Sequence, residues 1–569
     1  MLTIELKKFQ HIWINLSFVV ILAGIVYLLI HVYINLVVPF KPLSHISLSP
    51  IALITYSAYS TIRMCAAYGL SLLFALGYGY IAARTRFGDV IMVPLLDVLQ
   101  SIPVLSLMPA IVLFFISLFP HSNFGLELAA IVMIFTAMSW NMAFSVYQSL
   151  KAIPNDLDYV SSIYQFSRGR KFISLELPYS SISLIWNSMM SFAGGWFFLS
   201  VNEAFVLGKQ SYMLRGIGAY MSVAQGQSNA RAMVYSLIAM GIIIALVDRL
   251  LWKPLIVWSG KFKIEDTSSG QEGESLVLNY LKRLTILRTL KHLSSNIRER
   301  KSLRLAYSDT KDRIMGAVVP VLKPLGVVII IGVSGAVLFG IYRSARMLLD
   351  LSEKDIVYIT TSVLLTFSRV LATIAIGILW AVPAGVYIGM RKRLATKFQP
   401  LIQFLASYPA PMLYPIALLV LEAAHIGLGI GSVLLMLLGT QWYILYNTVS
   451  GSMSLSDDLI GVTRLFSIKG FTLWKKVIIP AIAPQLITGI ITAAGGAWNA
   501  SIVAEYVSYR NNIISTRGIG TLLNRAIEKN DFHLLFGGTF AMILIVVLIN
   551  MTVWKRLYRK VSQLSQLES

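Results

Sequence analysis

Apolar runs of twenty residues or more, separated by short polar loops, recur along this chain and leave few foldable solutions. A helix needs about 20 apolar residues to cross the hydrocarbon core of a bilayer. In lipid every backbone N–H and C=O must be satisfied internally, which restricts spanning elements to helices and closed barrels. Runs at roughly 13–37, 62–83, 92–118, 126–148, 182–207 and 232–257 meet that length, and a second set follows at roughly 318–341, 363–389, 399–421, 428–449, 484–507 and 534–556. The expectation is an all-α membrane protein with about twelve transmembrane helices in two groups of six. The first run follows MLTIELKKFQHIW, is too long for a cleaved signal segment and has no small-residue cleavage site after it, so it reads as a retained helix.

Composition agrees: 56% of the 569 residues are hydrophobic and 13% are charged, against about a quarter charged in soluble domains. The formal net charge is +22, which by itself fits either nucleic acid or a membrane. The basic residues gather at the ends of apolar runs: Lys7 and Lys8; Arg84 and Arg86; Lys151, Arg168, Arg170 and Lys171; Lys253, Lys261 and Lys263. Arg391, Lys392, Arg393 and Lys397 follow in the second half, and Lys555, Arg556, Arg559 and Lys560 close the chain. All these loops share one face if both termini are cytoplasmic, the positive-inside pattern of a multi-pass inner-membrane protein. Arg343, Arg346, Arg510, Arg215 and Arg517 are exceptions near the opposite face. No Lys/Arg stripe with interleaved aromatics lies on a soluble stretch, which argues against nucleic acid as a partner and leaves membrane lipid. The single cysteine, Cys65, excludes disulfide frameworks and Cys-based metal sites, and His121, His425 and His533 are isolated without metal-ligand spacing.

The two groups of spans are copies. Arg63/Arg369, Pro94/Pro400, Pro103/Pro409 and Pro109/Pro415 share an offset of 306. Beyond the fourth span the offset is 302 and relates Trp140/Trp442, Asp156/Asp458, Pro178/Pro480, Trp196/Trp498, Glu203/Glu505, Arg215/Arg517, Gly216/Gly518, Gly218/Gly520 and Trp252/Trp554. Rare residue types kept in register over such a length mark an internal duplication. An even number of spans per copy puts both in the same orientation, with a pathway expected between them. The expected organisation is a first module at 1–260, a basic cytoplasmic linker at 261–312 and a second module at 313–569. The linker opens on EDTSSGQEGES and turns into a basic amphipathic segment; it reads as a connector carrying a surface helix, or as a lipid-binding or regulatory element.

Between the fourth and fifth spans of each copy lies a loop of about thirty residues, KAIPNDLDYVSSIYQFSRGRKFISLELPYS and GSMSLSDDLIGVTRLFSIKGFTLWKKVIIPAIAP. The pattern predicts a short amphipathic helix, a basic turn and a second helix interrupted at proline. Position, length and the endings LELP (175–178) and VIIP (477–480) resemble the EAA loop of binding-protein-dependent ABC importer permeases of the type I fold. Gln165 and Ser467 stand where that motif has glycine, and Tyr159-Val160-Ser161 and Gly461-Val462-Thr463 where it has Glu-Ala-Ala. The proline-rich third span, SIPVLSLMPAIVLFF, and the fifth span ending in Glu before RGIG resemble the nitrate/sulfonate/taurine group of that family.

The resemblance implies that Ile163, Tyr164, Gln165, Phe166, Ser167 and Arg168, with Leu465, Phe466, Ser467, Ile468, Lys469 and Gly470, dock into two separate ATP-binding ATPase subunits. It implies an extracytoplasmic solute-binding protein as the other partner. The chain would be a permease, not an enzyme, and would bind no cofactor; ATP and Mg are used by the ATPase. No G-x-x-x-x-G-K-[ST] occurs in the sequence. The expected cargo is a small solute, such as the oxyanions nitrate, sulfonate or taurine, or bicarbonate. The alternative is a secondary active transporter with two parallel six-helix repeats. Such carriers place acids mid-membrane, and here Asp97 and Asp248 are the main acids within the spans, near their cytoplasmic ends.

Glu203 and Glu505, at equivalent places near the far end of the fifth spans, are candidate pathway residues or structural partners of Arg215 and Arg517. Arg63 and Arg369 read as interface-snorkelling arginines. Trp196 and Trp498 follow the small-residue runs FAGG and AAGGA; close helix packing and a cargo-facing indole are both open. Asn202 and Asn499 add polar groups that could bind cargo or neighbouring helices. Gly216, Gly218, Gly518 and Gly520 suit a tight turn before the sixth span.

Overall fold

The computed structural model describes residues 46–86, 88–207, 210–262, 342, 346–455, 457–509, 512–554 and 556–557. One compact unit comprises 34–268 and 352–569; the other, 1–33 and 269–351, is described only at 342 and 346–351. The expected spans 13–37 and 318–341 lie outside the described residues. So do the linker beyond 262 and Lys7, Lys8, Lys263, Arg343, Arg510, Lys555, Arg559 and Lys560.

The first repeat runs α1 (Pro50–Arg84), α2 (Gly88–Gln100), α3 (Val104–Leu118), α4 (Phe124–Lys151), α5 (Asn155–Ile163), α6 (Arg168–Asn202), α7 (Ile217–Gly226) and α8 (Ala230–Phe262). The second runs α9 (Glu353–Gly389), α10 (Lys392–Ser407), α11 (Ala410–Ala423), α12 (Leu428–Met453), α13 (Asp457–Leu465), α14 (Gly470–Ala504), α15 (Ile519–Glu528) and α16 (Phe532–Trp554). Among the described residues eight helices are long and apolar enough to cross a bilayer, and ten spans result if each bent pair counts as one.

The starts of α1 and α9 are written locally. Ser49 caps α1, its Oγ accepting from the Ala52 N–H at 3.1 Å, and Pro50 fills the first helical position, where its missing N–H costs nothing. Ser352 and Asp355 form a reciprocal capping box at α9.

The third spans differ from the uninterrupted crossings expected. Each breaks in the middle, by 87° between α2 and α3 and by 88° between α10 and α11. Proline disfavours helical geometry in the residue before it, and Ile102 and Tyr408, before Pro103 and Pro409, are extended at φ/ψ of −73°/125° and −75°/125°.

In each repeat one helix packs between two others, α4 between α1 and α6 and α12 between α9 and α14. The approach is close because glycine faces a branched side chain: a Cβ on Gly79 would lie 2.7 Å from Val146 Cβ, and one on Gly385 2.7 Å from Thr448 Cβ. The repeats meet reciprocally. α10 and α11 rest on α6, and the α2–α3 break rests on α14. The Tyr408 hydroxyl donates to the Leu237 carbonyl at 2.8 Å, and the Leu105 N–H to Asn499 Oδ1 at 3.3 Å.

Two short antiparallel hairpins, absent from the all-helical expectation, follow the fifth spans: β1 (Ala204–Leu207) with β2 (Gln210–Met213), and β3 (Tyr506–Tyr509) with β4 (Asn512–Ser515). Tyr506 donates its hydroxyl to Glu528 on α15. Burial, and then that carboxylate, push its phenol well above the usual range.

The repeats differ electrostatically at the opposite end. Arg84 pairs with Glu176, which is 2% exposed, and the same register places Met390 and Ile478 in the second repeat. Removing Arg84 strands a buried carboxylate, whereas removing both charges removes the desolvation penalty too. We expect Arg84→Met to destabilise the protein by roughly 3 kcal/mol, and Arg84→Met with Glu176→Ile to recover most of it. Thermal unfolding of the two variants in detergent checks this; equal losses would contradict it.

Candidate functional site

In each repeat the residue after the fifth span is a glutamate with no exposed surface. Glu203 Oε1 accepts from Ser60 Oγ at 2.6 Å and pairs with Arg63 Nη1, while Oε2 accepts from the Gly218 N–H at 2.7 Å. Glu505 Oε1 accepts from Thr366 Oγ1 at 2.8 Å and Arg369 Nη1 at 2.7 Å, and Oε2 from the Gly520 N–H at 2.9 Å. The same hydroxyls accept from Ile217 N at 3.0 Å and Ile519 N at 2.8 Å. Each carboxylate with its hydroxyl partner thus satisfies the first N–H groups of α7 or α15 and sits at the positive end of that helix. Desolvating a carboxylate costs several kcal/mol, and an arginine, a hydroxyl, an amide and a helix dipole together offset that.

The glycines of the RGIG motif serve this contact. Gly216 and Gly518 are extended, at φ −177° and 174°, so no turn requires them. Space does: a Cβ on Gly216 would lie 2.2 Å from Glu203 Cδ, and one on Gly518 2.3 Å from Glu505 Oε2. Close backbone approach replaces the tight-turn expectation.

The glutamates' ionic partners are Arg63 and Arg369, not Arg215 and Arg517, and Arg63 does not snorkel: it is 3% exposed. Arg215 and Arg517 contribute backbone carbonyls, which accept from Arg63 Nη2 at 3.4 Å and Arg369 Nη1 at 2.8 Å. The Arg517 side chain is exposed, donates to Thr361 Oγ1 at 2.7 Å and lies 5.7 Å from the Tyr358 ring centroid. Trp196 and Trp498 are buried. Asn202 is buried beside Glu203, and its amide makes no hydrogen bond among the described residues. Asn499 bridges the repeats through Leu105.

At the other end, both loops take the expected helix–turn–helix form. α5 and α13 each end with a left-handed residue, Gln165 at φ 49° and Ser467 at φ 52°. The Phe166 N–H reaches the Ser161 carbonyl at 3.0 Å and the Ile468 N–H the Thr463 carbonyl at 2.9 Å, the long-range bond of a Schellman turn. These are the two positions where the resembled motif has glycine, the residue that adopts this conformation without strain. Beside each turn, Ile163, Tyr164, Leu465 and Phe466 are 76%, 70%, 83% and 71% exposed. Gln165, Ser167, Arg168, Lys469 and Gly470 are exposed with them, while Phe166 and Ile468 turn partly inward.

Glu127 escaped the sequence reading. It holds Arg63 with two hydrogen bonds of 2.7 Å, a role filled in the second repeat by Thr516, which accepts from Arg369 Nη2 at 3.0 Å. The recurrence of Arg63/Arg369 and of a hydroxyl at Ser60/Thr366, both at the 306 offset, was the available signal for the rest of the network.

Arg63 satisfies two carboxylates through its planar fork, which an ammonium cannot match. Arg63→Lys should therefore destabilise the protein by about 1–2 kcal/mol more than Arg369→Lys. Gly216→Ala and Gly518→Ala should each lower the unfolding temperature more than alanine at Gly169, where no atom lies within 4 Å. Thermal denaturation in detergent measures all five.

The chain matches the family described as binding-protein-dependent transport system inner membrane component over residues 75–251 and again over 373–561. An ABC transporter permease protein of Methanocaldococcus jannaschii is 29% identical over 161 residues, 28% of this chain and 57% of the relative. The bicarbonate transport system permease protein CmpB of Synechococcus elongatus is 27% identical over 165 residues, 29% of this chain and 56% of its own length. The nitrate import permease protein NrtB of the same organism is 30% identical over 139 residues, 24% and 48% respectively. The chain spans about half the length of the curated relatives it matches. With both halves matched by one family, this multi-pass membrane protein belongs to the binding-protein-dependent transport system inner membrane components and carries that family's unit twice.

Proposed function

We propose that the chain is the permease subunit of an ABC importer and supplies two permease modules, whose repeats enclose the pathway for a small solute and rock against each other. Two separate ATPase subunits, using ATP and Mg, drive it, and an extracytoplasmic binding protein delivers the solute. The observation that carries this is the pair of loops at 150–178 and 452–480. Each presents a rigid Schellman-turned knob with two large apolar side chains in water, Ile163 and Tyr164 in one and Leu465 and Phe466 in the other. Apolar surface held out on a fixed turn at equivalent places in both repeats suits a partner that grips two levers.

In this reading the loop end faces the cytoplasm, as the clustered lysines and arginines suggest, and the hairpins face outward. The protein lies in the inner membrane and catalyses no bond chemistry. The buried Glu203 and Glu505 networks stiffen the outer end, with Trp196, Trp498, Asn202 and Asn499 placed along the fifth spans that would border the pathway. The names of the bicarbonate and nitrate relatives favour a small oxyanion as cargo.

Ile163→Asp combined with Leu465→Asp should reduce stimulation of the matching ATPase roughly tenfold or more, since truncating or charging a central interface anchor has effects of that size. Thermal stability should be unchanged because both side chains are in water. Stimulation that survives both substitutions, or uptake driven by an ion gradient without ATP, would overturn the proposal.

A further inference from the structure

A cavity of about 210 Å³ lies where α6 and α8 of the first repeat meet α10 of the second. Four rings line it, those of Phe192, Trp196, Trp252 and Phe404, together with Asp248 and Gln403. Phe192 packs edge-on against Trp196 and Trp252, with centroids 5.5 and 5.4 Å apart, so three of the rings form one fixed wall. Asp248 opens a π-helical turn, Asp248–Trp252, which brings its carboxylate and the Trp252 indole to the same cavity.

Asp248 Oδ1 accepts from Gln403 Nε2 at 3.0 Å across the interface between repeats. Among the described residues it forms no ion pair; the neighbouring Arg249, which also lines the cavity, and Lys253 are exposed. A carboxylate half-withdrawn from water with one neutral donor is poorly compensated. An anion in the cavity would meet that carboxylate and the negative faces of the rings, and an apolar molecule would desolvate the acid further. A cation gains from both, because ring quadrupoles attract positive charge within about 6 Å of the centroid.

The duplication supplies an internal comparison. At the same registers the second copy has Asn550 for Asp248 and Asp97 for Gln403, an acid and an amide again, with the acid now on the third span and the amide on the sixth. Its π-helical turn, Asn550–Trp554, also recurs. The aromatic enclosure recurs only in half: Trp498 and Trp554 match Trp196 and Trp252, but Ala494 and Val98 stand where the first site has Phe192 and Phe404. The sequence thus keeps an acid, an amide and two of the four rings, Trp498 and Trp554, at the second copy's registers, and Phe192 and Phe404 are what the first site adds.

We infer that the cavity at Asp248 binds a small organic ammonium group, with Asp248 as counter-ion and the aromatic side chains as its cage. This goes beyond the transport reading and does not depend on it. Two sources share the chemistry: a solute in the aqueous phase, and the headgroup of an ethanolamine or choline phospholipid.

The test uses the full chain in nanodiscs of phosphatidylglycerol alone, with radiolabelled tetramethylammonium in equilibrium dialysis. Saturable binding is expected, weakened roughly tenfold or more by Asp248→Asn and by Phe404→Leu. Asparagine keeps the acceptor for Gln403, so the interface is preserved; should that variant not fold, Phe404→Leu carries the test. Repeating the measurement in phosphatidylethanolamine separates the sources: probe binding that disappears there assigns the site to the headgroup, and binding that persists assigns it to a solute. No saturable binding in phosphatidylglycerol, or equal binding by wild type and the folded variants, would overturn the inference. ATPase coupling is measured without this probe, so the transport reading stands or falls separately.

Discussion

A carboxylate with no access to water must be neutralised from several directions at once, and the end of each repeat that bears the hairpin is organised by that demand. Glu203 and Glu505 gather a hydroxyl and an arginine from α1 or α9 and an amide from the start of α7 or α15. Three helices are thereby fixed to one point. Losing one partner leaves a buried charge uncompensated, so the arrangement resists partial opening. Even the chain's choice of glycine before α7 and α15 follows, because any side chain there would occupy the carboxylate's space.

The duplicated halves have kept this geometry while changing its charges. Arg63 divides itself between two glutamates, whereas Arg369 has one glutamate, a hydroxyl and a carbonyl. At the loop end the first repeat uses ion pairs, Arg84 with Glu176, Lys171 with Asp158 at 2.9 Å and Lys151 with Asp89 at 2.8 Å. Met390 and Ile478, then Leu473, then Met453 and Ala395 stand at the corresponding places of the second. Beside that apolar set, under the second loop, is a cavity of about 250 Å³ lined by Met390, Leu473 and Ile478 among others. Among the described residues the first loop is held by ion pairs and the second by apolar packing, so the two would yield to an applied displacement with different stiffness.

The turns at Gln165 and Ser467 show how this loop geometry forms without glycine. What the loop requires is a left-handed residue after a short helix and two exposed apolar side chains beside it. Glycine meets the first requirement at least cost, but a Schellman hydrogen bond can hold glutamine or serine there at about 1 kcal/mol of strain. The two loops share this turn with each other, although neither carries the letters Glu-Ala-Ala-Gly.

Much of the architecture was legible before any coordinates. Helix length against bilayer thickness gave the ten spans that fall among the described residues, the recurring prolines, tryptophans and glutamates gave the duplication, and the endings LELP and VIIP gave the loops. These signals are local or periodic, so a linear chain displays them. The break at Pro103 and Pro409 was visible as proline, but its angle was not. The hydroxyl and arginine partners of Glu203 and Glu505 were hidden because they are about 140 residues distant in the chain, and a buried ion pair has no local pattern. Glu127 and the Asp248–Gln403 bond were hidden for the same reason, the latter joining residues 155 apart across two repeats. Sequence periodicity determined which segments enter the membrane and that they do so twice. Only tertiary packing decided which buried charges meet, because in a low-dielectric interior a charge is satisfied by whatever the fold brings within hydrogen-bonding distance, not by its neighbours along the chain.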